Sequence, residues 1–195
     1  MEKIGRKIYH LSGGLLLIAL YSRMGRMPGL AMLIGMFLSV TALDLVRLRT
    51  PALNDFIYRY FSKFIRDSER EKLTGTPWYL LGILTAAALY DAPVAVYAVA
   101  FLACGDVAAT AVGERWGTIK VSGVKSIQGT AAFFMAASVS GLVIDHWFYP
   151  LHPAVYIMGA LTAALVEILP LDINDNLTIP LVAGGAMRLL LAFGL

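Results

Sequence analysis

Three acidic side chains lie inside otherwise apolar segments of the sequence: Asp44, Asp106 and Glu167. They are three, eight and five residues from the next charged residue, so each lies within about 12 Å of the end of its segment. An ionised side chain is costly to bury in apolar surroundings and usually marks a functional site. We therefore expect these acids to face one polar pocket. Arg188 is expected to extend outward at the opposite end, away from it.

Cations and further oxygen ligands are expected at the same depth as these three acids. They are Arg6, Lys7, His10, Lys120, Lys125 and the run from Asp172 to Asn176. Acids beside several cations suit a phosphate with a divalent metal, because Mg²⁺ takes carboxylate or amide oxygens while Lys and Arg neutralise phosphate oxygens. A purely structural reading pairs each acid with a cation to tie helices together. It explains any one acid, but not why all lie on one side.

Small residues and then a basic loop follow Asp106 in the sequence. Ala109, Gly113 and Gly117 recur every four residues, a spacing that by itself favours close helix packing. The basic, glycine-containing segment from Lys125 to Thr130 then enters a helix whose N-terminal amides could bind phosphate. The sequence has no Walker loop and no protein-kinase glycine-rich, HRD or DFG motif, which argues against a soluble type of ATP site.

The composition indicates what positions these residues. With 58% hydrophobic residues, 15% charged residues and a mean hydropathy of +0.71, the chain is far more apolar than a soluble domain. We expect an integral membrane protein that binds no nucleic acid. Cys104 is the only cysteine and lies in an apolar segment, so it is expected to be a small packing residue.

Seven charge-poor blocks predict an all-α fold of about seven transmembrane helices in one polytopic domain over residues 1–195. The blocks are 8–22, 27–46, 74–90, 92–113, 126–144, 153–171 and 176–195. Only 15 residues separate Lys7 from Arg23, so the first helix needs its flanking cations to snorkel.

The loop after the second block predicts an amphipathic helix that lies in the membrane interface. Thr50 is a suitable N-cap and Pro51 suits the first helical position. The residues that then share one apolar face are Phe56, Ile57, Tyr60, Phe61, Phe64 and Ile65. The basic residues on the rest of this helix are Arg59, Lys63, Arg66 and Arg70, and a role limited to lipid anchoring is favoured for them.

The distribution of Lys and Arg predicts the orientation. Thirteen lie before the first block and in the loops after the second and fourth, whereas only Arg23 and Arg26 lie in loops on the other side. By the positive-inside rule the N-terminus is cytoplasmic and the C-terminus is outside. The acids Asp44, Asp106 and Glu167 then lie near the cytoplasmic surface.

Four ordered motifs resemble the CTP-dependent lipid alcohol kinases, a family that comprises dolichol kinase, phytol kinase and CTP-dependent diacylglycerol kinase. The pattern GDxxAxxxGxxxGxxK is found at Gly105, Asp106, Ala109, Gly113, Gly117 and Lys120. The pattern KSxxG[ST] follows at Lys125, Ser126, Gly129 and Thr130. A DNLxxP turn is found at Asp175, Asn176, Leu177 and Pro180, and an RKxxH motif at Arg6, Lys7 and His10. One departure is Gln128, where the dolichol kinase branch usually has Glu.

The resemblance implies transfer of the γ-phosphate of CTP to the hydroxyl of a membrane lipid alcohol, with Mg²⁺, at the cytoplasmic face. It implies that Asp106 and Asp175 hold Mg²⁺, that Lys120 and Lys125 neutralise the phosphoryl group, and that His10 or Glu167 orients or deprotonates the hydroxyl. The residues expected to contact the nucleotide are Gly105, Gly113, Gly117, Lys120, Lys125, Ser126, Gly129, Thr130 and Asn176. The acceptor stays open between dolichol or another polyprenol, phytol and diacylglycerol.

Three alternatives remain at this point. The related phosphatidate cytidylyltransferases transfer CMP from CTP to a lipid phosphate, but their KD, HisGlyGly and DRxD elements are absent from this sequence. A cation-coupled transporter should carry its acids near the midplane within related repeats, and the sequence shows no internal repeat. A non-catalytic assembly subunit gives no reason for acids and lysines to share one face.

Overall fold

The computed structural model describes residues 4–62, 64–123 and 125–195, and these residues form a helical bundle with one small hairpin. The helices are α1 (Ile4–Met24), α2 (Arg26–Arg49), α3 (Pro51–Phe61), α4 (Gly75–Leu89), α5 (Ala92–Trp116), α6 (Ile127–Trp147), α7 (Pro153–Ile168) and α8 (Asp175–Ala192). A single 3-10 turn, Asp67–Glu69, lies between α3 and α4. The fold is all-α, as the sequence predicted.

Helix α5 is the centre of the bundle. It packs against α1, α4, α6, α7 and α8, and every residue from Val94 to Ala103 is buried. Lipid chains are as apolar as a protein core, so helices in a membrane associate mainly where small residues let their backbones come close. Helix α5 supplies such residues at Ala98, Gly105 and Gly113.

Within the part of the chain that the structure describes, three helices are long and apolar enough to cross a membrane, and the protein is a membrane protein. They are Arg26–Arg49, Ala92–Trp116 and Ile127–Trp147. Helices α4 and α7 are apolar but shorter, with 15 and 16 residues. Helix α2 lies at the edge, because only Gly29, Leu33, Asp44 and Arg47 of its 24 residues are buried.

Helix α3 begins as predicted but ends early. Thr50 occupies the N-cap position and Pro51 starts the helix, although the Thr50 hydroxyl makes no capping hydrogen bond. The helix ends at Phe61, so the prediction that Phe64, Ile65, Arg66 and Arg70 continue its faces is wrong. Lys63 was part of the same prediction and lies outside the described residues. Residues 62 and 64–74 form a connector that leads to α4.

A two-stranded hairpin connects α5 to α6. Strand β1 (Lys120–Ser122) pairs antiparallel with β2 (Lys125–Ser126), with Lys120 opposite Ser126. Gly123 between them has a φ of +53°, which a side chain would disfavour. The hairpin follows α5 and leads directly into α6, so it holds two lysines beside the paired ends of these helices.

Candidate functional site

Two glycines bring the ends of α5 and α6 together. A Cβ on Gly129 would lie 3.0 Å from the carbonyl oxygen of Ala109, and one on Gly113 would lie 3.3 Å from Ser126 Oγ. Ser126 is the N-cap of α6, and its hydroxyl accepts a hydrogen bond of 3.2 Å from Gly129 N. The spacing of small residues therefore produces close helix packing, as its simplest reading predicted, at the edge of a polar pocket.

The polar pocket, about 500 Å³ in volume, opens where α5, α6, α7 and the hairpin meet. Seven of the residues predicted or considered from the sequence line it: Ala109, Gly113, Lys120, Lys125, Ser126, Gly129 and Glu167. Three further lining residues were not predicted: Arg66, Thr110 and Glu114. Glu114 could have been found from its place beside Gly113, whereas no local pattern points to Arg66.

Lys125 ties the hairpin to two other helices. Its ammonium donates a hydrogen bond of 2.9 Å to Asp175 Oδ2 at the start of α8, and another to the carbonyl oxygen of Glu167 near the end of α7. A cation is favourable at a helix C-terminus, where carbonyl groups lack partners. Lys120 on the opposite strand lies 3.4 Å from the carbonyl oxygen of Gly113. The two lysines thus border the pocket from adjacent strands.

The carboxylate of Glu167 faces the same pocket. Thr130 Oγ1 donates to its Oε2 at 3.3 Å, which links α6 to α7. The ammonium of Lys125 contacts both the backbone of Glu167 and the carboxylate of Asp175, which connects the end of α7 to the start of α8. Of the three predicted acids Asp106, Glu167 and Asp175, Glu167 lines the pocket, whereas Asp106 and Asp175 are not among its lining residues.

Asp106 is bound from α1. Lys7 Nζ donates to Asp106 Oδ2 at 2.5 Å, and the lysine side chain is only 8% exposed. Arg6 and His10, from the same predicted motif, are also buried. The imidazole of His10 stacks on the ring of Tyr79 with a centroid distance of 4.5 Å. His10 does not line the pocket, so its contacts indicate a packing or positioning role.

Two glycines predicted to contact the nucleotide make close packing contacts in the structure. A Cβ on Gly105 would lie 2.5 Å from the ring of Phe133, so this glycine admits an aromatic side chain of α6. Gly117 lies against Ser126, since a Cβ there would be 2.5 Å from Oγ. Asn176 points toward α4, and its Nδ2 lies 3.5 Å from the carbonyl oxygen of Gly75.

Asp44, the remaining acid, belongs to a buried network outside the pocket. Arg47 Nε donates to Asp44 Oδ1 at 2.5 Å, and Thr74 donates to Asp44 Oδ2 through both its amide and its hydroxyl. The expectation that Asp44, Asp106 and Glu167 face one pocket is not met, because only Glu167 lines it and the carboxylate oxygens of Asp44 are occupied within this network.

An apolar groove of about 1080 Å³ lies elsewhere, between α1, α5 and α6. On α5 it is lined by Val96, Ala100, Cys104 and Ala108, whose four-residue spacing follows one side of the helix. None of the described residues that line the groove also lines the polar pocket, so the two cavities are separate.

The donor set of the pocket suits Mg²⁺ bound together with phosphate. Its side chains offer carboxylate oxygens and cationic nitrogens, and Mg²⁺ usually takes one or two carboxylates with substrate phosphates and water. Within residues 4–62, 64–123 and 125–195, no group of three or more His, Cys, Asp or Glu side chains is placed to hold a metal ion alone. Apolar helices around such a pocket define a membrane protein whose site suits a phosphorylated ligand.

Known proteins of similar sequence give the family. The chain is 30% identical to CTP-dependent diacylglycerol kinase 1 of Eremothecium gossypii, over 98% of this chain and 68% of that protein. It is 26% identical to a probable phytol kinase of Triticum aestivum, over 92% of this chain and 65% of that protein. It is 32% identical to a farnesol kinase of Arabidopsis thaliana, over 62% of this chain and 44% of that protein. No family model and no solved structure matches.

The chain belongs to the CTP-dependent lipid alcohol kinase family, and the protein is a lipid kinase. This result confirms the resemblance carried by the four sequence motifs.

Proposed function

We propose that the protein transfers the γ-phosphate of CTP to the hydroxyl of a membrane lipid alcohol at the cytoplasmic face. The observation that carries the proposal is the polar pocket, where Lys120, Lys125 and Glu167 meet beside apolar helices. In this reaction the lipid oxygen forms a bond to the γ-phosphorus, the bond between that phosphorus and its bridging oxygen breaks, and CDP leaves. The hydroxyl proton passes to a base.

The residues of the pocket suit the parts of this reaction. Lys120 and Lys125 would neutralise the transferred phosphoryl group, where catalysis is mostly positioning and electrostatics. Glu167 is the better placed of the two predicted bases, because its carboxylate faces the pocket while His10 is stacked on Tyr79. We assign the proton to Glu167 and a positioning role to His10.

Mg²⁺ would be held by Asp106 and Asp175 with phosphate oxygens and water, and Asn176 would supply a supporting oxygen ligand. Both carboxylates are bound to lysines in this structure, at 2.5 Å from Lys7 and 2.9 Å from Lys125. Mg²⁺ bound here would supply charge stabilisation to the phosphates. Both acids would then share their oxygens between an ammonium group and the ion.

The proposed topology has seven membrane-crossing helices, α1, α2 and α4 to α8, with the N-terminus and the pocket on the cytoplasmic side. Each of the seven apolar blocks of the sequence falls in one of these helices. The count of thirteen cations against two supports this orientation. The location of α3 in the interface is part of the same proposal, and it agrees with the absence of buried residues in that helix.

Position-specific labelling of CTP tests the reaction. Purified protein in detergent is given Mg²⁺, CTP and, separately, a polyprenol, phytol or diacylglycerol. Label at the γ-phosphate should enter the lipid and label at the α-phosphate should not. Entry of the α-label with release of pyrophosphate would instead identify a CMP transferase. Lys125→Ala should lower the rate, while Arg115→Ala, an exposed basic residue beside the pocket, serves as the matched control.

A further inference from the structure

The connector between α3 and α4 brings another cation to the pocket. Arg66 lines the same cavity as Lys120 and Lys125, although more than 50 residues separate it from them in the sequence. The connector contacts α1, because the rings of Phe64 and Tyr9 meet edge to face at a centroid distance of 6.1 Å. Arg66 therefore adds a cation to the pocket from the side of α1.

A buried arginine fixes the backbone that carries Arg66. Arg47 is 1% exposed, and its guanidinium donates to the carbonyl oxygens of Glu69 at 3.1 Å and Lys72 at 2.6 Å. Its Nε donates to Asp44, which itself accepts from Thr74. A guanidinium that binds successive carbonyl groups holds this segment in one conformation at the cytoplasmic end of α2.

Glu69 completes this anchoring next to Arg66. Its Oε2 accepts a hydrogen bond of 3.0 Å from the backbone amide of Arg66, and its Oε1 accepts one of 3.1 Å from Gly75 N at the start of α4. The carboxylate is 9% exposed. A basic segment that only contacts lipid headgroups does not need buried hydrogen bonds of this kind to hold its backbone.

We infer that Arg66 binds phosphate oxygens of the nucleotide. This inference rests on the proposed function and adds a contact from a segment that none of the four motifs covers. A guanidinium can donate two parallel hydrogen bonds to phosphate, which fits a residue that lines the same cavity as two lysines. The connector would then close the nucleotide pocket from the side of α1.

Kinetics and binding of Arg66→Ala and Arg66→Lys test the assignment in neutral detergent without anionic lipid. Arg66→Ala should raise the KM for CTP and the Kd for CTP by about tenfold or more, the usual effect of losing a charged hydrogen bond. The affinity for CMP should change much less, because CMP lacks the β- and γ-phosphates. Arg66→Lys should recover part of the loss, and added guanidinium ion should partly restore Arg66→Ala. Arg59→Ala, exposed on α3, is the matched control and should leave all constants unchanged.

The outcomes separate this inference from the proposed function. If wild-type protein moves no phosphate from CTP, the proposed function fails. If wild-type protein is active and Arg66→Ala keeps its KM and Kd for CTP, the inference is wrong. An equal loss of affinity for CTP and CMP would also overturn it, since that pattern reports a distorted pocket. If Arg66→Ala changes activity only in vesicles that contain phosphatidylglycerol, the residue binds lipid phosphate and the nucleotide assignment is overturned.

Discussion

Asp106 and Asp175 are each bound to a lysine, but the two pairs differ in burial. The side chain of Lys7 is 8% exposed beside Asp106, whereas that of Lys125 is 22% exposed beside Asp175. Removing one partner of a pair costs most when the remaining charge is buried, and little when solvent reaches it. The two acids therefore share a proposed metal role but should differ in their effect on stability.

We predict that Asp106→Asn and Asp175→Asn each lower turnover at least about a hundredfold, because an amide is a poorer ligand for Mg²⁺. Asp106→Asn should also lower the free energy of unfolding by about 2 kcal/mol, since Lys7 loses its charged partner. Asp175→Asn should cost less than about 1 kcal/mol. Activity assays together with thermal unfolding in detergent measure both effects.

The matched control is Asp55→Asn, which removes an exposed pair with Arg70 at the surface and should change neither quantity. Near-normal turnover in both Asp106→Asn and Asp175→Asn would remove these acids from the mechanism. Equal destabilisation by the two variants would show that burial does not distinguish the pairs.

Sequence reasoning reached some of these residues and missed others for identifiable reasons. The motif resemblance pointed to Asp106, Lys125 and Asp175, because each occupies a fixed position within its motif. The partner of Asp106 could not be predicted, since Arg6, Lys7 and other cations were expected at the same depth. Arg66 was missed because its position depends on carbonyl contacts made by Arg47 across more than 20 residues.

At the scale of elements, the contact between α5 and α6 depends on glycines that admit larger neighbours. The aromatic ring of Phe133 is fully buried against Gly105. This contact assigns Gly105 to helix packing, whereas the motif resemblance implied a role in nucleotide binding. If Gly105 serves helix packing, a smaller side chain at position 133 should compensate for a larger one at position 105. If Gly105 binds nucleotide, it should not.

We predict that Gly105→Ala destabilises the protein by about 1–3 kcal/mol through overcrowding, as measured by thermal unfolding. Adding Phe133→Leu should recover much of the lost stability and activity, because the smaller side chain leaves room for the new methyl group. Gly35→Ala in α2 is the matched control, since a Cβ there meets nothing within 4 Å. Loss of CTP binding at full stability would instead support the nucleotide role.

The ends of elements were predicted less well than their order. Apolar blocks gave the helices of the bundle, and Thr50 with Pro51 gave the start of α3. The end of α3 at Phe61 was missed because Phe64 and Ile65 continue its apolar periodicity. Long-range hydrogen bonds from Arg47 hold the following connector, and a helical pattern carries no information about them.

At the scale of the whole molecule, the proposed orientation rests on the charge count and has a direct test. In a Cys104→Ala background, Val121→Cys in the hairpin should react with an impermeant thiol reagent only from the cytoplasmic side. Pro150→Cys, between α6 and α7, should react only from outside. Both positions are exposed. Labelling of both from one side would overturn the seven-helix topology.

The shortness of α4 and α7 has a consequence for the surrounding bilayer. Their 15 and 16 residues span about 22–24 Å, less than the ~30 Å of a typical hydrocarbon core. A bilayer responds to such hydrophobic mismatch by thinning locally. In the proposed topology α4 begins and α7 ends on the cytoplasmic side, and α7 ends next to Glu167, which lines the pocket. The headgroup layer is then expected to dip toward the site and to bring an acceptor hydroxyl down to the depth of Asp106. Turnover in vesicles of short-chain phosphatidylcholine should therefore exceed that in long-chain vesicles at equal acceptor content, which makes membrane thickness a determinant of the reaction rate.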